Sequence, residues 1–369
     1  MSSTPLFVTR PALPPLADFT AVLEAIWESR VLTNGGPYHK QLEADLAAYL
    51  GVPFVSLVNN GTVALQLALL ALDINDGEVV TTPYSFAATS HAIAIAGAKP
   101  VFADIGQSHF NLDPALAEAA ITPQTRAIMP VHCYGRPCDV EAFEAIGARH
   151  GIPVIYDAAH AFGVTHGNGS LLNYGRLAVL SFHATKVFNT FEGGAIISQS
   201  AEDKARVDLL RNFGIASEEE IPEIGINGKM SEINAALGVL QLARVDGNIA
   251  ARAEVDRAYR DHLQGVAGIL VPDLPQGRAN YGYFPILIDA AEFGRTRDAI
   301  YDQLKQAGVF ARKYFYPLLS NLAVYRAYES AAPENLPRGN AAARDVLCLP
   351  IYPGLDLADV AQICAAIRN

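Results

Sequence analysis

Four short stretches of this chain hold residue types that could act together chemically. Residues 181–194 read SFHATKVFNTFEGG, and Lys186 stands there between two apolar runs, 177–180 and 195–197. A lysine caught between buried strands loses solvation, which lowers its pKa and leaves a free amine. A free amine is what Schiff-base chemistry needs. A solvated lysine at a hairpin tip would have the same local sequence, so the other stretches must decide.

Asn59-Asn60-Gly61-Thr62 follows a β-branched run and opens an alanine- and leucine-rich segment. Small residues at a helix N-terminus leave backbone amides free for a phosphate, and the Thr62 hydroxyl adds a donor. The alternative is a capped helix after a strand. Thr82-Pro83-Tyr84-Ser85-Phe86 also follows an apolar run, and Phe86 is placed either to stack on an aromatic ring or to pack in the core. Val154-Ile155-Tyr156-Asp157-Ala158-Ala159-His160 puts a carboxylate at the end of a buried strand. A buried aspartate needs a charged or hydrogen-bonding partner, unless it merely caps the next helix.

These stretches need a scaffold, and the pattern supplies one. Between residues 55 and 161, β-branched runs (55–58, 78–81, 100–102, 127–131, 154–156) alternate with helical segments (63–72, 87–96, 140–150). That alternation predicts a mainly parallel sheet with helices on both faces, and ligands in such folds sit at the carboxyl ends of the strands. Helices are also expected over 17–29 and 39–50, with Gly51 as a cap. One long helix over 230–263 should lead into a smaller α+β unit with strands at 283–288 and 309–313 and helices at 296–307 and 357–368. The expected division is 1–245, including the N-terminal segment, and 246–369.

The chain has 369 residues, 51% hydrophobic and 18% charged, with a formal net charge of −11. The acidic balance and the lack of a basic run argue against nucleic acid and anionic membranes as partners. Cys133, Cys138, Cys348 and Cys364 fit neither a zinc nor a disulfide spacing. No metal is expected. The N-terminus lacks a signal peptide's apolar core, and no run is long enough to span a bilayer, so a cytoplasmic protein is expected.

Taken in order, NNGTVAL, TTPYSF, YDAAHAFG, SFHATK…EGGA and GINGKMSEINAALG resemble the DegT family of nucleotide-sugar aminotransferases. These are fold type I, aspartate-aminotransferase-like enzymes that use pyridoxal 5′-phosphate, and the resemblance runs from about Leu32 to the C-terminus. It implies Lys186 as the Schiff-base lysine, and Asp157 as the partner that keeps the pyridinium proton so that the ring acts as an electron sink. It further implies Phe86 stacked on the ring, and Gly61, Thr62 and Ser181 at the phosphate. His160 falls near the ring hydroxyl, where many members have glutamine. Asn227 would reach the phosphate of a neighbouring subunit, which implies a homodimer with shared sites.

The family's common amino donor is L-glutamate, and its acceptors are nucleotide-linked keto sugars. Members acting at C-3 often have Pro before the residue preceding the lysine and Asn-Leu-Gly after it. Here Ala184-Thr185 precede Lys186 and Val187-Phe188-Asn189 follow. The expected product is therefore a dTDP-4-amino-4,6-dideoxyhexose for polysaccharide or O-antigen synthesis, with C-3 amination as the alternative. His183 is expected beside the lysine as a further catalytic group. Arg312, Lys313 and Tyr316 are expected at the sugar and diphosphate. A sugar dehydratase would have histidine in place of Lys186, and a non-catalytic regulator would be expected to lack Asp157 or Lys186.

Overall fold

The computed structural model describes residues 5–107 and 110–369. Part of the N-terminal leader reading rests on residues 1–4, which lie outside the described residues. Strand Gly194–Ser198 lies antiparallel between Phe54–Val58 and Leu177–Ser181, and Leu177–Ser181 runs parallel to Ile155–Asp157. Glu78–Thr81 lies parallel between Lys99–Phe102 and Thr125–Met129. Parallel bridges Ile128–Val154 and Val131–Asp157 join the two groups. The result is a seven-stranded sheet with one reversed strand, and it is mainly parallel, as the alternating pattern predicts.

Side chains alternate across this sheet, and that alternation builds two cores. Val55, Leu57, Ala178, Leu180, Ala195 and Ile197 face one way, onto Leu42, Leu46 and Phe143 of helices Pro37–Leu50 and Val140–His150. Leu177, Val179 and Ile196 face the other way, onto Leu65, Leu69, Ala92 and Val207 of helices Gly61–Ala71, Ala87–Ile95 and Ala201–Leu210. With both faces covered, the strands read as continuous apolar runs rather than as alternating ones.

A third core gathers Val255, Tyr259, Phe284, Ile286, Ile300, Leu347 and Ile363 around an antiparallel sheet of Ile269–Leu270, Phe284–Ile288 and Val346–Leu349. Leu6 is buried in it too, because Leu6–Phe7 pairs in parallel with Val309–Phe310. Two expectations are corrected here. The long 230–263 helix is two helices, Glu232–Leu242 and Val245–Leu263, broken at Ala243-Arg244. The Ser231 side chain accepts from the Asn234 amide and starts the first of them later than expected. The strand expected over 309–313 stops at Phe310, after which only Arg312 bridges to Cys348.

Candidate active site

The parallel strands deliver their carboxyl ends to one edge of the sheet, and a cavity of about 580 Å³ opens there. Asn60, Gly61, Thr62, Phe86, Asp157, His160, Ser181, His183 and Lys186 all line it. Its size suits a cofactor or drug-sized ligand. Stretches separated by more than a hundred residues in sequence thus meet at one site.

Asp157 ends strand Ile155–Asp157 and is 4% exposed. Its Oδ2 accepts from the Thr89 hydroxyl at 2.7 Å and its Oδ1 from the Ala159 amide at 3.1 Å. Burial pushes its pKa up, against the pull of those two donors and of Lys186. Thr89 lies in the first turn of Ala87–Ile95 and is itself held by Ser85 Oγ at 2.8 Å. The carboxylate is therefore fixed in orientation and lacks a full counter-charge.

Helix Gly61–Ala71 starts at Asn60, whose side chain accepts from the Val63 amide at 2.9 Å. That cap leaves the Gly61 and Thr62 amides at the N-terminus, where the helix dipole favours an anion. The register of strand Gly194–Ser198 sets Val58 and Ser181 on either side of Gly194. A Cβ at Gly194 would lie 2.8 Å from the Leu180 oxygen and 2.9 Å from the Asn60 carbonyl carbon, so only glycine lets the strands and loop approach this closely.

Lys186 rides on the loop between the antiparallel strands Leu177–Ser181 and Gly194–Ser198. Phe182 donates its amide to the Gly193 oxygen at 2.8 Å, and Thr190 donates to the Phe182 oxygen at 3.0 Å. Buried Phe182 and Phe188 pack against Phe162, with ring centroids 6.1 and 4.5 Å away. Asn234 Nδ2 donates to the oxygens of Thr190 and Glu192 at 2.6 and 3.0 Å, which ties the loop to helix Glu232–Leu242. Burial lowers the pKa of Lys186 to about 8, against the attraction of Asp157 and Cys133. The free amine expected from sequence is thus accessible near neutral pH.

His160 is 7% exposed, and its Nδ1 accepts from the Tyr134 amide at 3.2 Å. Burial, reinforced by Lys186, drives its pKa well below the usual imidazole value. The ring is therefore neutral, and with Nδ1 accepting, Nε2 carries the hydrogen. Asn280 holds this turn by donating to the His160 and Phe162 oxygens at 2.8 and 3.0 Å. Phe86 is 62% exposed over the cavity, so core packing does not explain it.

His183 is exposed and lines the cavity. Its Nδ1 lies 2.8 Å from Thr185 Oγ1, and its Nε2 is 3.7 Å from a Glu192 carboxylate oxygen. The expected substrate cations are not in the cavity lining of this chain. Lys313 pairs with Asp298 at 2.5 Å and lies over the Tyr301 ring, Tyr316 lies beneath the Arg297 guanidinium, and Arg312 is exposed. From that segment the cavity receives Tyr314 and Phe315 instead. A strand would alternate these side chains regularly, but regular pairing ends at Phe310. Asn227 is exposed outside the cavity of its own chain, and its backbone oxygen accepts from Asn59 Nδ2 at 3.4 Å.

Sequence reasoning missed Thr89, Tyr283 and Glu192. Thr89 had a signal, three residues after Phe86 in a first helical turn facing the strand ends. Tyr283 comes from the C-terminal part of the chain, and nothing local marks it.

The model of a family described as the DegT/DnrJ/EryC1/StrS aminotransferase family matches residues 16–368. A dTDP-4-amino-4,6-dideoxy-D-glucose transaminase of Escherichia coli is 50% identical over 98% of both chains. One of the same description from Shigella dysenteriae is 48% identical over 99% of both. A solved structure, DesI in the presence of its TDP-sugar product, superposes with a TM-score of 0.95 at 36% identity, covering 100% of this chain and 93% of that one.

Proposed function

The chain belongs to the DegT/DnrJ/EryC1/StrS aminotransferase family, and from that membership we propose that it transfers the amino group of L-glutamate to C-4 of dTDP-4-keto-6-deoxyglucose. The products are dTDP-4-amino-4,6-dideoxyglucose and 2-oxoglutarate. One observation carries this reading: the full-length likeness to two transaminases named for that amino sugar. The chain is a pyridoxal-phosphate-dependent aminotransferase. No helix among the described residues is long and apolar enough to cross a membrane. We place the reaction in the cytoplasm, where sugar nucleotides are made.

The residues present fit pyridoxal phosphate. A Cβ at Gly61 would lie 2.9 Å from that of Ser181, so only glycine lets the Ser181 hydroxyl stand this close to the free helix-terminal amides. The fixed Asp157 carboxylate lacks a full counter-charge, as suits a pyridinium. Phe86 offers a solvent-facing ring to stack. When bound, the cofactor would supply an electron sink, its protonated ring nitrogen drawing in the electrons released as the donor's Cα–H bond breaks.

The protein's own groups do the rest. Lys186 would hold the cofactor covalently through Nζ, and once free as an amine Nζ would take the donor's Cα proton. With a pKa near 8, Nζ can both accept and return that proton near neutral pH. Asp157 holds a proton opposite its carboxylate, and Thr89 and Ala159 keep that carboxylate aimed. His160 contributes a neutral Nε2–H donor at the cavity wall. The keto sugar then receives the amino group by the same steps in reverse.

The site works in a homodimer in this reading, with Asn227 of one protomer reaching the phosphate of the other. Its exposure away from its own cavity supports that role. Incubation with glutamate and each of the dTDP-linked 4-keto and 3-keto 6-deoxy sugars, read by mass, tests the function. Amination of the 4-keto compound is expected; turnover of the 3-keto compound alone would overturn the carbon assignment.

A further inference from the structure

Lys186 comes from the large sheet, yet its amine is held by a side chain from the other end of the chain. Nζ donates to the Tyr283 hydroxyl at 3.2 Å and lies 5.8 Å from the Tyr283 ring centroid. Tyr283 immediately precedes strand Phe284–Ile288 of the C-terminal sheet. Its ring is locked by neighbours, with centroids of Tyr134 at 5.4 Å, His160 at 4.7 Å and Tyr314 at 6.0 Å. Burial keeps the phenol protonated, so its oxygen is a neutral acceptor for an ammonium.

We propose that Tyr283 is a positioning residue for Lys186, its hydroxyl holding Nζ at the cavity wall whenever that nitrogen is not bound to cofactor or carrying a proton to substrate. A four-carbon lysine stem has several free torsions, and one fixed acceptor at its tip selects among them. The same bond stabilises the charged form and limits how far burial lowers its proton affinity. The other titratable groups acting on Nζ are Asp157, Cys133 and His160, and Arg252 acts on the phenol. Because Tyr283 leads directly into the C-terminal sheet, the bond also makes the amine's position depend on how that sheet sits against the cavity.

The assignment rests on Lys186 being the cofactor-bearing lysine, but its first test needs no turnover. Cofactor-free protein is labelled with trace acetic anhydride across a pH series, and acetylation of Lys186 is read by peptide mass spectrometry. Tyr283→Phe keeps the packed ring and removes only the hydroxyl. Its labelling midpoint should fall by about one pH unit, roughly tenfold in proton affinity. Tyr84→Phe removes a neighbouring buried hydroxyl that bonds Tyr134 and the Tyr314 oxygen, not Nζ, and should leave the midpoint in place. In the loaded enzyme Tyr283→Phe should lower kcat by roughly tenfold with KM for the keto sugar little changed. An unchanged midpoint in Tyr283→Phe, or equal shifts in both variants, overturns the proposal. Failure to aminate any keto sugar would instead count against the function and leave the labelling result standing.

Discussion

Gly61 and Ser181 meet so closely that a methyl group on the glycine would stand 2.9 Å from the serine Cβ and 3.1 Å from its hydroxyl oxygen. Neither the strand nor the helix N-terminus can yield without disturbing the other. Gly61→Ala should therefore weaken cofactor binding by at least about tenfold, about 1.4 kcal/mol, while the fold persists. Absorbance titration of cofactor-free protein with pyridoxal phosphate measures this. Parental affinity would mean that the loop does not hold the phosphate.

Lys186→Ala should abolish turnover without unfolding the chain, and kcat at the parental value would sink the aminotransferase assignment for this residue. The buried amine also predicts a stability signature. Its folded pKa, about 8, lies below the ordinary value of 10.5, so between those values the unfolded chain binds more protons. Stability contributed by this group thus rises with pH through that window. Below pH 8 the ammonium, half-buried at the cavity wall, costs at most about 3 kcal/mol, and less where cavity water reaches it. Cofactor-free Lys186→Met should accordingly resist urea better than the parent at pH 7 and lose that advantage by about pH 10.5.

Asp157→Asn should retain cofactor but lose at least about a thousandfold in the proton-abstraction rate, about 4 kcal/mol. A neutral amide no longer favours the protonated ring nitrogen. Single-turnover kinetics with glutamate read the step. A rate within tenfold of the parent would reduce Asp157 to a strand-end residue that only orders the following turn through Thr89 and Ala159.

Asn227→Ala should weaken cofactor binding without changing the dimeric mass expected by sedimentation. Shared sites make a sharper prediction. When Lys186→Ala and Asn227→Ala protomers are mixed and allowed to exchange, each mixed dimer has one site with both defects and one intact. Activity should then rise above that of either variant alone. No gain on mixing, with exchange demonstrated, would confine each site to a single protomer.

Much of the sheet was legible because burial on both faces turns parallel strands into apolar runs separated by helical segments. Strand Glu78–Thr81 and helices Val140–His150 and Leu357–Arg368 fall where the pattern put them. The 230–263 region misled because helical periodicity continues across Ala243-Arg244, where the backbone breaks without proline or glycine. Strand Val346–Leu349 went unread because it is short and fully buried, which periodicity alone does not separate from helix.

Sequence alone determined which residues could be chemical. Lys186, Asp157, Gly61, Thr62, Phe86, His160 and Ser181 each stand at a strand end or in a turn after one, and the order of strands brings such ends to one edge. The tertiary structure decided what surrounds them. It aims Asp157 through Thr89, holds Nζ of Lys186 with Tyr283, and directs Lys313 and Tyr316 to Asp298 and Arg297 instead of the cavity. Those choices depend on contacts between segments far apart in the chain, and on which way a side chain turns after regular pairing has ended. Neither leaves a local pattern in the sequence.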